Sequence, residues 1–183
     1  MKRWIFLHVI LLSLIPYTYG QVFITSQGQV DFRSDAPLEL IQASSQELRG
    51  AIDASKNSFA FTIPMSSFHG FNSPLQEEHF CEKFLECPRY PKATFLGRIL
   101  EEVDFNQPGT YEVRAKGKLS IHGVTEERII RSSLTVAEDG VSITSDFSVR
   151  LADHDVRIPQ VVYQKIAEDI SVKVALDLKP QQP

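Results

Sequence analysis

The feature that most limits what this chain can become is a strict two-residue alternation beginning at Gly109. Tyr111, Val113, Ala115, Gly117, Leu119 and Ile121 fall on one face, and Glu112, Arg114, Lys116, Lys118 and Ser120 on the other. Successive side chains of a strand point to opposite sides, so the pattern predicts a long strand with one buried and one wet face. It recurs at Val141, Ile143, Phe147, Val149 and Leu151, and again at Ile170, Val172, Val174, Leu176 and Leu178. Ile130, Leu134 and Val136 mark a weaker strand between the first two runs. Turn signals separate them at Pro108-Gly109, His122-Gly123 and Asp139-Gly140, and Asp-Gly between alternating segments is a good hairpin marker.

Upstream the pattern is less regular. Val30 and Phe32, then Leu48 and Ile52, then Phe59, Phe61 and Ile63 suggest shorter strands, and Lys92 to Glu101 adds one around Phe95 and Ile99. Strands joined by short turns are antiparallel neighbours. About eight to ten of them close into a barrel or fold into a sandwich, because open sheet edges invite aggregation.

One helix interrupts the strands. Ser73 suits an N-cap, Pro74 the first helical position and Gln76 a capping box, so a helix is expected over Pro74–Glu86, stopped by Pro88. Leu75, His79, Phe80, Phe84 and Leu85 form its apolar stripe. Such a helix either lids one end of a barrel or packs on a sheet. A second short helix is expected around Gln160–Ala167.

The amino-terminal segment has the form of a secretory signal peptide. Lys2 and Arg3 precede the apolar run Trp4–Ile15, and Thr18 and Gly20 sit at the −3 and −1 positions before Gln21. The run is shorter than the roughly 20 residues a bilayer crossing requires, so an anchor is the weaker reading. Residues 1–20 are therefore expected to be a signal peptide, with 21–183 forming one domain that is exported and periplasmic or secreted. The chain has 19 Lys+Arg against 23 Asp+Glu, a formal charge of −4, and loss of Lys2 and Arg3 would make it more acidic still. That balance argues against nucleic acid or an anionic membrane as partner. Stable membrane insertion is not expected, and the monomer and the homodimer both stay open.

No sequence pattern for catalysis is present: there is no G-x-S-x-G, H-E-x-x-H, phosphate-cradling glycine loop or C-x-x-C pair. Cys81 and His79 are two apart on the expected helix and point to different sides, which makes a poor nucleophilic pair. His69, His79, Cys81, Cys87, His122 and the run Asp153-His154-Asp155 are metal ligands by type, yet none shows a paired ligand spacing. Neither enzyme activity nor a metal is expected. The only two cysteines, Cys81 and Cys87, lie six apart, where a continuous helix would hold them on different faces. They are expected to be free thiols, since a bond would require the helix to end before Cys87.

Phe59, Phe61, Phe68, Phe71, Phe80, Phe84 and Phe95 cluster around the helix and its flanking strands. A filled core accounts for most of them. Small residues on inward faces, Gly97, Ala115 and Gly117, would leave volume, and an eight-stranded barrel is just wide enough to be filled or to hold one ligand. A long apolar cavity would suit a chain-like lipid.

The stretches Phe80–Gly97 (FCEKFLECPRYPKATFLG) and Gly117–Thr125 (GKLSIHGVT) resemble the YceI-like family, bacterial lipid- or polyisoprenoid-binding proteins that are often exported. The family pattern is an H-F segment on a helix, Y-P-x-x-x-F running into a strand, and G-x-L-x-I-x-G-V-T at a strand end. His79-Phe80, Tyr90-Pro91 to Phe95, and Gly117, Leu119, Ile121, Gly123, Val124 and Thr125 supply it in order. The resemblance implies a mostly β, extended, lipocalin-like antiparallel barrel of about eight strands with one central helix at its opening. It further implies an isoprenoid-type lipid in a long apolar channel, and no cofactor beyond such an isoprenoid or quinone lipid.

On that basis Phe61, Phe80, Phe84, Phe95, Leu119, Ile121, Phe147 and Val149 are the expected ligand contacts. His79 or His122 is the expected partner of a polar head group, although a turn role suits His122 better. The leading expectation is non-enzymatic carriage or sequestration of a long-chain apolar lipid in the periplasm. Its rivals are a ligand-free envelope or stress protein with a filled barrel, and a quinone-dependent redox protein, for which Cys81 is the only obvious group.

Overall fold

The computed structural model describes residues 21–181. The segment expected to be a signal peptide, residues 1–20, lies outside the described residues. Eight strands, β1 (Val22–Asp35), β2 (Leu40–Asp53), β3 (Ser58–Pro64), β4 (Lys92–Ile99), β5 (Gly109–Ile121), β6 (Val124–Ala137), β7 (Gly140–Arg150) and β8 (Asp169–Pro180), each pair antiparallel with the next. The sheet closes where β8 returns to β1, with Val30 opposite Val174 and Phe32 opposite Val172. Closure leaves no sheet edge for another chain to extend. The expected antiparallel barrel is what forms.

The alternation maps directly onto this barrel. Val113, Leu119, Val149, Ile170 and Leu176 are buried, whereas Glu112, Arg114, Lys118, Ser148 and Lys173 between them are exposed. The early strands are longer than expected, 14 residues each in β1 and β2. Their pattern is masked by a bulged stretch of β1 between Thr25 and Val30, which shifts the register against β2. In β2 an inward serine, Ser45, adds to the masking by sharing a 2.6 Å hydrogen bond with Ser67.

The two barrel ends differ. At one end Phe23, Ile52, Leu134, Val141 and Leu178 are almost completely buried, and Phe105 from the β4–β5 loop packs on Phe23 at a ring separation of 5.6 Å. Burial of each such side chain contributes about 1.5–3 kcal/mol, so this end is a packed floor. At the other end the β3–β4 connection carries helix α1 (Pro74–His79) and a π-helical turn (Phe80–Phe84). Ser73 caps α1 as expected, its Oγ accepting from the Gln76 backbone N–H at 3.2 Å. The Gln76 side chain reaches back one residue further than a capping box does, its Oε1 accepting from Asn72 N–H at 3.2 Å.

Three expectations about the connections need correction. The continuous helix over Pro74–Glu86 is shorter: it widens into the π turn and ends at Phe84, and Glu86 turns the chain with φ 44°. Cys87 therefore folds back, donating its N–H to the Cys81 carbonyl at 2.7 Å, and the two Cα atoms come within 4.9 Å. Cys81 and Cys87 are a disulfide, not free thiols. The second helix is one 3₁₀ turn, Gln160–Val162.

The glycines of β4 and β5 also have a different role from the one expected. Gly97 and Gly117 are directly opposed, and a Cβ on Gly97 would come within 2.5 Å of the Gly117 Cα. A Cβ on Gly117 would run into the Leu96 carbonyl and lie 3.0 Å from the Phe95 ring. They let two strands approach closely and leave no cavity space. Of the three small residues, only Ala115 borders the interior space.

Candidate functional site: an apolar channel inside the barrel

Above the floor, inward-facing side chains stop being buried. Phe61, Phe95, Ile121, Ile143, Phe147, Val172 and Val174 point inward along their strands yet keep accessible surface. An inward side chain with free surface requires a hollow. It is a cavity of about 470 Å³, lined by residues of all eight strands and of the helical connections. Along β7 it runs from Ile143 to Val149, about 20 Å at 3.3 Å per residue. Volume and lining are those of a pocket for a drug-sized or chain-like apolar ligand.

All nine residues singled out from the sequence line this space: Phe61, His79, Phe80, Phe84, Phe95, Leu119, Ile121, Phe147 and Val149. Phe61 and Phe95 are register partners on β3 and β4, and Phe95 opposes Leu119 on β5. Phe59 joins them, its ring 4.8 Å from Phe95 and 5.8 Å from Phe61. Phe147 is opposite Val172 on β8. Phe80 also has a second role. Its ring lies 5.5 Å from Phe32, 5.1 Å from Phe71 and 5.9 Å from Phe68, so it fastens the π turn to the barrel rim.

His122 does not line the cavity; it occupies the β5–β6 turn. His122 and Gly123 have φ 50° and 77°, the two positive values of a tight hairpin. Gly123 is required there twice over, since a Cβ would also strike the Tyr90 ring. The His122 ring packs edge-on to Tyr90 at 4.7 Å, and its Nδ1–H donates to the His154 carbonyl at 3.1 Å.

The cavity has polar residues at few places. Glu39, Gln76, His79 and Lys165 stand where it meets the helix-bearing end, and Gln76 Nε2 donates to Glu39 Oε1 at 2.5 Å. Midway, the Ser132 and Ser145 hydroxyls satisfy each other at 2.6 Å. His154, in the 3₁₀ turn Leu151–His154, is fully buried against the cavity, and burial pushes its imidazole pKa below the ordinary 6.5. Sequence reasoning grouped His154 only with metal-ligand types; its signal was the apolar run on either side, Leu151 and Val156. Among the described residues no three His, Cys, Asp or Glu side chains converge as a metal site. Cys81, the group a redox role would need, is bonded to Cys87 and lies outside the cavity. No described helix is long and apolar enough to cross a membrane.

Comparison with solved structures places the fold among known barrels. A polyisoprenoid binding domain from Saccharophagus degradans, implicated in plant cell wall breakdown, superposes with a TM-score of 0.74 at 14% identity, covering 87% of this chain and 98% of that one. BcnA of Burkholderia cenocepacia gives a TM-score of 0.66 at 17% identity, over 82% of this chain and 94% of its own. The YceI protein of Campylobacter jejuni gives 0.58 at 14% identity, over 76% and 84%. Among curated proteins, none matches this chain in sequence. The model of the YceI-like domain matches residues 23–178, from the start of β1 to the end of β8, and the chain belongs to the YceI-like family.

Proposed function

We propose that this protein binds a lipid with one long apolar chain, of isoprenoid type, inside the barrel and carries or sequesters it without chemical change after export to the periplasm or cell exterior. The hollow above the floor carries the reading, since a filled barrel would leave no free surface on Ile143, Phe147, Val172 or Val174. Membership of the YceI-like family and a fold shared with a polyisoprenoid binding domain support the same class of ligand.

The energetics suit such a cargo. Each methylene removed from water contributes about 0.8 kcal/mol, so a chain filling ~20 Å of channel offsets the 4–15 kcal/mol cost of association with few polar contacts. The apolar tail would point to the Phe23–Leu178 floor and the polar end to the rim. A fluorescent prenol passed between phospholipid vesicles tests the reading. The wild-type protein should accelerate transfer in proportion to its concentration, and Phe95→Asp should abolish this by placing a carboxylate in the channel. Transfer no faster than without protein would overturn carriage. Wild-type transfer by Phe95→Asp would overturn the assigned channel.

A further inference from the structure

Apolar surface is not confined to the barrel interior. Among the described residues nine large apolar side chains are strongly exposed, and five of them, Leu38, Leu40, Leu75, Val161 and Tyr163, lie at the helix-bearing end. The other four lie along the outer barrel wall or at the floor end. Val161 is 90% exposed and Leu38 66%, so neither contributes to the core. Each of the five stands next in sequence to a residue that lines the cavity. Leu38 and Leu40 flank Glu39, Leu75 precedes Gln76, and Val161 and Tyr163 flank Val162, whereas the five themselves stay outside it. Hydrogen bonds draw the three segments, residues 35–40, 72–79 and 160–168, together. Leu38 N–H donates to the Gln164 carbonyl at 2.9 Å, Asn72 Nδ2 to the Leu40 carbonyl at 2.8 Å, and Gln76 Nε2 to Glu39 Oε1. The five side chains therefore belong to one rim around the channel mouth, and an exposed apolar patch set among polar residues marks an interaction surface.

We propose that this rim docks peripherally on a lipid bilayer and seats the channel mouth on the membrane, so that cargo passes between leaflet and barrel without crossing water. The inference rests on the lipid-binding reading above and names the surface with which the cargo is exchanged. The Phe23–Leu178 floor closes one end, so a lipid enters at the other, where the exposed Lys165 shares the cavity wall. A long apolar chain released into water loses its burial, and an apolar rim continuous with the channel removes that step. Tyr163 suits the membrane interface, its ring exposed and its hydroxyl donating to Glu168 Oε1 at 2.7 Å. Charge selects the kind of bilayer. The three segments carry five carboxylates, Asp35, Glu39, Glu77, Glu78 and Glu168, against one lysine, Lys165. Anionic lipids would repel that rim, and a zwitterionic surface would not. A symmetric pair of chains joined at the rim would set the same carboxylates against one another.

The test follows a fluorescent prenol as it leaves residues 21–183 for phosphatidylcholine vesicles. Docking makes the transfer rate rise with vesicle concentration, whereas release through water gives a rate independent of it. Leu38→Asp combined with Val161→Asp places two carboxylates on the rim and none in the cavity wall. This double variant should bind the prenol in solution with wild-type affinity but deliver it at least about tenfold more slowly. A wild-type rate independent of vesicles, or wild-type delivery by the double variant, would overturn the docking surface. Prenol affinity lost in the double variant would overturn it too, by assigning these side chains to the channel. Exchanging part of the phosphatidylcholine for phosphatidylglycerol should slow delivery, and faster delivery would overturn the choice of a neutral bilayer. Light scattering should give a monomer, and a dimer that the double variant dissociates would give the rim to a second copy instead. Failure of wild type to bind the prenol in solution would overturn the lipid-binding reading itself, a separate outcome.

Discussion

Replacing Ala115 by phenylalanine separates a hollow barrel from a filled one. Ala115 lies on β5 between Val113, at the floor, and Leu119 and Ile121, near the rim, and it borders the cavity. A phenyl ring there occupies the lower channel and closes the space beneath it, about 7 Å over two residues. An extended chain loses roughly five methylenes of burial, ~4 kcal/mol at about 0.8 kcal/mol each. Long-chain alcohols should therefore bind ~10²–10³-fold more weakly, while chains too short to reach Ala115 keep their affinity. Titrating a series of n-alcohols by probe displacement reads this directly: affinity should rise with length in wild type and level off earlier in the variant. Stability gives the opposite sign in the two cases. In a hollow the added ring gains contacts and the melting temperature holds or rises. In a filled core the same change overpacks, costing about 1–3 kcal/mol. A lowered melting temperature with unchanged chain-length dependence would refute the hollow channel.

Other perturbations follow from the same structure. Cys81→Ser with Cys87→Ser removes a short covalent loop and should lower stability by about 2 kcal/mol, seen as a fall of roughly 4–8 °C in calorimetry and absent if the bond does not form. Gly117→Ala forces β4 and β5 apart at Leu96 and should destabilise by about 1–3 kcal/mol, whereas a neutral result would show that the close approach is not required. Because burial holds His154 below the ordinary 6.5, the unfolded chain takes up its proton first as pH falls. Stability from this residue is complete above pH 6.5 and declines below it, so melting temperatures between pH 7.5 and 5 should fall less steeply in His154→Leu than in wild type.

The barrel was legible where each strand has one wet face, as in β5, β7 and β8, because period two then appears in the residue types themselves. β2 hides it with inward Ser45, which pairs with Ser67 across a connection that no local window contains. β1 hides it with a bulge that resets the alternation between Thr25 and Val30. The nine cavity-lining residues came from alternation together with the family resemblance. The disulfide was misread because one helix was carried through Phe80–Glu86. A π turn and a positive φ at Glu86 break it, and neither leaves a propensity signal as strong as proline or glycine. Gly97 and Gly117 show the converse error: small size read as space, where the partner strand's backbone already fills it. His154 was grouped with metal-ligand types because its complete burial and its Nδ1 contact with the Val124 carbonyl are facts of tertiary geometry.

The central claim is that the barrel holds a single-chain lipid, and native mass spectrometry of residues 21–183, recovered without detergent, tests it most directly. The account predicts a bound mass at one per chain, released by organic solvent as an isoprenoid-type lipid, or acquired on incubation with geranylgeraniol. A polypeptide mass that stays bare after incubation with prenols and other long-chain lipids would contradict it.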